Sequence, residues 1–158
     1  MANEKTQEWT IPVSFYFRVD FQQGSEHIKA SFTEVSGLEM QLNVEERTDD
    51  SSTRTKIPQT LSYANITLKR PLTPLSEAFT KWMNDCFGYM ESKDRKIKTY
   101  DMVIKLLDGK GKPLAGWLGR HAYPIKWSLN TLNASKSEIS NETVTLTCTN
   151  LKRITNIR

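Results

Sequence analysis

The chain has 158 residues, of which 37% are apolar and 25% are charged, and its formal net charge is +4. A chain of this length is expected to form one domain whose core needs neither disulfides nor a metal. No stretch approaches the 18 apolar residues that a membrane span needs, and acids alternate with bases without a long basic run, which argues against specific nucleic-acid binding.

Apolar and polar residues alternate with a period of two along most of the chain, which predicts β-strands. The alternation is clearest over 13–21, where Phe15, Phe17, Val19 and Phe21 share one face. Weaker strands are predicted over 27–35 and 40–44. The stretch 48–58 is polar and ends in a proline, so it is predicted as an extended, irregular loop.

The next strand is predicted over 61–70, after which the period changes to that of a helix. One apolar stripe is formed by Leu75, Phe79, Trp82, Met83 and Cys86. The residues at 73–74, Thr-Pro, are typical of a helix start, and Gly88 is placed to end the helix, which gives about 13 residues.

Further strands are predicted over 100–106, 113–117, 123–129 and 143–151, with a glycine turn at 108–111. The sum is about seven strands and one helix. Because short turns join most neighbours, we expect a mainly β fold, an antiparallel sandwich or barrel with one flanking helix. A single domain over 1–158 is predicted, with 1–11 and 152–158 as peripheral tails.

Residues that could carry chemistry are few and scattered. Neither His27 nor His121 has a partner at a metal-ligand spacing, and the glycine turn lacks the spacing of a phosphate-binding loop. Residues 1–8 do not resemble a secretory signal, so Cys86 and Cys148 are expected to be reduced thiols in a cytoplasmic product. We therefore expect no enzyme, no cofactor and no metal, but a protein that works through its surfaces.

Several segments occur in an order that resembles a known family. The most specific are residues 32–38, Phe-Thr-Glu-Val-Ser-Gly-Leu, and the strand end 68–71, Leu-Lys-Arg-Pro. They are accompanied by residues 15–21, 123–127, 132–135 and 142–146. Over nearly the whole chain, from about Pro12 to Leu151, the sequence resembles the inner tube proteins of contractile phage tails and of extracellular contractile injection systems.

The resemblance implies hexameric rings that stack into a hollow tube, with neighbouring subunits extending each other's sheets. It implies other copies of the chain, a sheath protein, baseplate or tube-initiator proteins and cargo in the lumen as partners, without membrane insertion. It also implies assembly in the bacterial cytoplasm, followed by a place in a phage tail or a released tail-like particle.

The resemblance also suggests roles for three sets of residues. Contact with the adjacent ring is expected from the loop residues Thr48, Asp49, Asp50, Ser51, Ser52, Thr53, Arg54, Thr55 and Lys56. The lumen is expected to be lined by Gln41, Asn43, Glu45, Arg47, Lys126, Ser128 and Asn130. The sheath is expected to meet exposed helix charges at Glu77, Lys81 and Asp85.

Alternatives remain open at this point. Within the same class, the chain could be the tube-initiator paralogue on the baseplate or a secreted ring protein like that of type VI secretion. From a different class, a monomeric β-barrel module with an apolar ligand cavity would also suit the many aromatic residues. Association into rings separates the first class from the second.

Overall fold

The computed structural model describes residues 15–72, 77–130, 135 and 140–154. These residues form ten strands, one α-helix and one 3₁₀ turn. The elements in chain order are β1 (Phe15–Gln23), β2 (Glu26–Phe32), β3 (Glu34–Ser36), β4 (Met40–Thr48), β5 (Arg54–Tyr63), β6 (Ile66–Pro71), α1 (Ala78–Phe87), the 3₁₀ turn Gly88–Met90, β7 (Tyr100–Asp108), β8 (Pro113–Leu129), β9 (Asn141–Thr147) and β10 (Asn150–Ile154).

Eight of the strands form one antiparallel sheet in the order β2-β1-β7-β8-β9-β6-β3, with β10 paired to β8. This path starts at β2 and ends at β3, so the mainly β, antiparallel class is confirmed but the sheet does not close into a barrel. β8 was predicted as two strands and is one strand of 17 residues. Its first part pairs with β7 and its second part with β9, and His121 adopts a left-handed φ of 52° where the pairing changes.

The core lies between the inward faces of the sheet and the helix. In α1, the residues Phe79, Trp82, Met83 and Cys86 are buried, which confirms the predicted apolar stripe. The Trp82 ring lies 5.0 Å from that of Phe21. The helix begins at Ala78 and is followed by Gly88, whereas the predicted start at 73–74 and Leu75 lie outside the described residues.

The prediction of an irregular loop over 48–58 is wrong for most of that stretch. β4 and β5 form a separate two-stranded sheet, and only residues 49–53 connect them. Arg54–Tyr63 pairs with β4, and Pro58 fits beside the register shift at Asn43/Val44, because proline is tolerated at a bulge. Both faces of this strand begin with polar side chains, which hides the period of two.

Two further boundaries differ from the prediction. The strand expected over 61–70 is interrupted at 64–65. The backbone at this break passes so close to Gly37 that a Cβ on residue 37 would collide with the carbonyl oxygen of Asn65. Gly37 also has a φ of +82°, which favours glycine. The strand expected over 143–151 is divided between β9 and β10, so residues 152–154 belong to the sheet rather than to a peripheral tail.

Candidate assembly surfaces

The β4–β5 hairpin has an apolar face that none of the described residues of the chain buries. Cross-strand partners lie on one face of a sheet, and the register places Leu42 opposite Leu61 and Val44 opposite Pro58. Leu42 and Leu61 are each 53% exposed, and Met40 and Val44 are about as exposed. No residue from 40 to 63 is buried. We call Met40, Leu42, Val44 and Leu61 the hairpin's apolar face.

The opposite face of the hairpin is mostly polar, with Ile57 opposite Glu45, and holds four of the residues predicted to line a lumen. The Asn43 amide donates to Thr60 Oγ1 at 3.1 Å, and the Arg47 guanidinium donates to Glu45 Oε2 at 3.3 Å. Gln41 Nε2 also lies 3.5 Å from Asn43 Oδ1. The structure therefore brings these four residues together on one hydrogen-bonded strand face.

The other predicted lumen residues lie on a second polar face, formed by β6, β9 and the end of β8. Lys126 is in register with Thr145 and Ser128 with Thr143, while the hydroxyls of Thr67 and Thr145 are 3.3 Å apart. Asn130 directly follows β8, and its N–H donates to the carbonyl of Asn141. We call this surface the threonine face.

The hairpin's tip is an ordered turn. The Asp49 carboxylate accepts hydrogen bonds from the Ser51 hydroxyl at 2.7 Å and from the backbone N–H of Thr53 at 2.9 Å. These bonds lower the pKa of Asp49 below its ordinary value, and the bond from the Ser51 hydroxyl has the largest effect. All residues of the predicted stacking segment, 48–56, are exposed. The segment consists of a five-residue turn between two strand ends.

The helix presents only part of the expected charged surface. Lys81 and Asp85 are exposed, but Glu77, at the N-cap, is half-buried. Its carboxylate accepts hydrogen bonds from Arg70 at 2.6 and 2.9 Å and from the Thr80 hydroxyl at 3.0 Å. The prediction that Glu77 is an exposed charge is therefore wrong.

Arg70 is at the centre of a buried charged cluster that the sequence analysis did not identify. Its Nε donates to Glu142 Oε2 at 3.0 Å, and the guanidinium lies 4.9 Å from the centre of the Phe79 ring. Burial alone lowers the pKa of Arg70 and raises that of Glu77, but the hydrogen bonds and charges of the cluster reverse both shifts. The cluster joins β6, β9 and the start of the helix.

An apolar groove of about 380 Å³ lies beside this cluster, between α1 and the ends of β6 and β8. Leu72, Phe87 and Trp127 line it and are 47%, 46% and 42% exposed. Met83 contributes to one wall, and Glu142 lies at its edge, where Oε1 accepts a hydrogen bond from the Trp127 indole at 2.9 Å. We call this site the helix groove.

The described residues contain little that could support chemistry. Among them, no three His, Cys, Asp or Glu side chains form a group that could hold a metal ion. Burial raises the pKa of the Cys86 thiol to about 11 and also raises that of Cys148, so both thiols are poor nucleophiles. The helix in the described part of the chain is too short and too polar to span a membrane.

Comparison with known proteins matches most of the chain to one family. The model of the T4-like virus tail tube protein gp19 family matches residues 13–152. No curated protein sequence matches the chain.

Solved structures show the same fold. The extended sheath–tube complex of PVC, an extracellular contractile injection system, contains a chain that is 25% identical, with a TM-score of 0.73 and coverage of 94% of this chain and 93% of that one. A chain of the anti-feeding prophage baseplate is 21% identical, with a TM-score of 0.70 and coverage of 92% and 97%. A type six secretion system protein is 9% identical, with a TM-score of 0.53 and coverage of 89% and 83%.

Proposed function

Because the chain belongs to the T4-like virus tail tube protein family, we propose that its copies close into hexameric rings and that these rings stack into the inner tube of a contractile particle. The family is structural, and the tube acts as a conduit. We propose assembly in the bacterial cytoplasm, followed by incorporation into a phage tail or a released tail-like particle.

The observation that carries this proposal is the uncovered β4–β5 hairpin. A two-stranded hairpin is marginally stable by itself in water, and none of its residues is buried in the chain's own core. An exposed apolar patch bordered by polar residues marks an interaction surface. A neighbouring copy that covers the hairpin's apolar face would remove this surface from water.

The open sheet supports the same proposal. β2 and β3 end the strand order of the main sheet, and unpaired strand edges tend to pair with other chains. In a closed ring each copy extends the sheet of the next, so no lateral edge is left. The monomer's open path is then completed by identical neighbours.

The polar surfaces suit the remaining contacts of a tube. We assign the lumen to the polar face of the hairpin and to the threonine face, since both can remain hydrated around passing cargo. The tip, 48–56, is assigned to the adjacent ring, and the helix surface at Lys81 and Asp85 to a sheath protein. The solved PVC complex contains sheath and tube, and the related prophage structure is a baseplate, which supports sheath and baseplate proteins as partners.

Negative-stain electron microscopy of the purified protein tests the proposal. We expect annular particles with a central hole, and stacks of them at high protein concentration. Tubes that form without a sheath favour a bulk tube subunit, whereas rings that never stack favour an initiator or a secreted ring protein. Solitary particles at every concentration would contradict the proposal.

A further inference from the structure

We propose that the helix groove receives the apolar face of the β4–β5 hairpin from a second copy of this chain. This inference rests on the proposed tube and identifies one of its contacts. A contact between these two surfaces is not among the expectations drawn from the sequence.

The two surfaces lie at opposite ends of β6. The hairpin joins the main sheet next to Ile66, where β6 begins, and Leu72 of the groove follows Pro71, where β6 ends. Six residues of strand separate these points by about 20 Å. Since no hairpin residue is buried, the hairpin does not fold back onto its own chain. A hairpin that fills the groove must therefore come from another copy.

This arrangement is the one that a ring or tube requires. When a contact joins the same patch of two copies, it closes as a dimer and stops. When it joins two different patches, each copy donates one and receives one, so the contact repeats into a ring or a filament. The hairpin and the helix groove form such a pair of different patches.

The groove's chemistry fits an apolar occupant. Its walls expose Leu72, Phe87 and Trp127. The Trp127 indole donates to Glu142, which also accepts from Arg70, and the Thr80 hydroxyl donates to Glu77. Trp127 and Glu142 therefore already have hydrogen-bond partners within the chain. The exposed Asn84 is a further polar residue of the lining. The leucine, valine and methionine side chains of the hairpin can pack against this surface without forming hydrogen bonds.

Cysteine cross-linking in assembled particles tests the contact. The chain carries Leu42→Cys on the hairpin's apolar face and Leu72→Cys in the groove, and assembled particles are oxidised and separated by denaturing electrophoresis. We expect a ladder of covalent oligomers with three or more chains, because each copy is joined to two others. Each single variant should give no more than a background of dimers.

The matched control is Gln41→Cys with Leu72→Cys, which moves the thiol to the neighbouring residue on the polar face. Disulfides form only within a narrow geometry, so this pair should not give a ladder. Particles that assemble without a ladder, or with equal ladders in both pairs, would overturn the inference and leave the tube itself intact. Absence of rings in the unmodified protein would instead contradict the proposed function.

A second measurement covers the case in which the cysteine pair does not assemble. Leu42→Asp disables the hairpin of one copy and Phe87→Asp disables the groove of another, but a mixture retains one intact contact per pair. We expect native mass spectrometry to show mixed species that neither variant forms alone. A mixture that behaves as the sum of the two variants would overturn the inference, as would a groove that takes a sheath segment or a small apolar molecule in assembled particles.

Discussion

Arg70 and Glu142 lie directly opposite each other on β6 and β9, with Nε of Arg70 3.0 Å from Oε2 of Glu142. The two side chains are only 4% and 3% exposed. Glu77 completes the cluster from the N-cap of the helix, so one guanidinium pairs with two carboxylates. The cluster fixes the helix against the sheet and positions the edge of the helix groove.

Replacement of Arg70 by methionine should destabilise the protein by about 3–5 kcal/mol, because it leaves two carboxylates without their buried partner. Urea unfolding followed by tryptophan fluorescence measures the change. The control is Lys69→Met, the adjacent residue on the other face, whose 3.9 Å pair with Glu34 is partly exposed and contributes about 1 kcal/mol or less. Similar losses in the two variants would show that Arg70 does not bind the cluster together.

The buried cluster could have been predicted from the alternation of the strands. Ile66 and Leu68 point inward, and Arg70 follows them with the same parity; Glu142 has the parity of Val144 and Leu146. Opposite charges at inward positions of two strands indicate a buried pair, provided that the strands are neighbours. Which strands are neighbours, and in which register they pair, is set by the tertiary structure. The period of two along one strand carries no information about it.

The stability that Glu77 contributes should depend on pH. Its pKa in the folded protein lies below its ordinary value of 4.5, because Arg70 and Thr80 outweigh the effect of burial. A lowered pKa stabilises the folded state above pH 4.5, and this contribution is lost as the pH falls below that value. The difference in unfolding free energy between the wild type and Glu77→Gln should therefore be constant near neutral pH and shrink toward pH 3. A difference that stays constant down to pH 3 contradicts the assignment.

Trp82 should be one of the most important residues for folding. It is 4% exposed, lies against the rings of Phe21 and Tyr100, and donates its indole N–H to the carbonyl of Lys98 at 2.8 Å. Trp82→Ala should cost about 3–5 kcal/mol in chemical unfolding. Phe87→Ala, on the same helix but 46% exposed, should change the stability of the isolated chain far less. An equal cost for both would mean that the helix is not docked through Trp82.

The hairpin tip should control elongation. Thr48 and Arg54 are in register, so residues 49–53 can be replaced by Asn-Gly, which suits a two-residue hairpin turn. We expect folded rings that no longer stack, as seen by electron microscopy. Ser52→Gly is the control, because residue 52 has a φ of 64° that glycine adopts readily. Normal tubes from the shortened tip would reject its role in stacking.

Elements with one buried face could be predicted from the sequence, whereas elements with both faces in water could not. β1 and α1 carry clear periods because Val19, Phe21, Phe79 and Trp82 face the core. β5 has no buried residue, so its first half was mistaken for a loop. Likewise, β8 was divided in two because its inward face changes partners near His121.

Identical copies of the chain should cover the hairpin, and native mass spectrometry of three proteins can show whether they do. The wild type should show species of six times the single-chain mass of 18.2 kDa, and Ser62→Asp, on the polar face, should assemble as well. Leu61→Asp places a charge on the apolar face one residue away and should give folded single chains. A wild type that stays at 18.2 kDa at every concentration, or a Leu61→Asp variant that assembles like the wild type, would contradict the account.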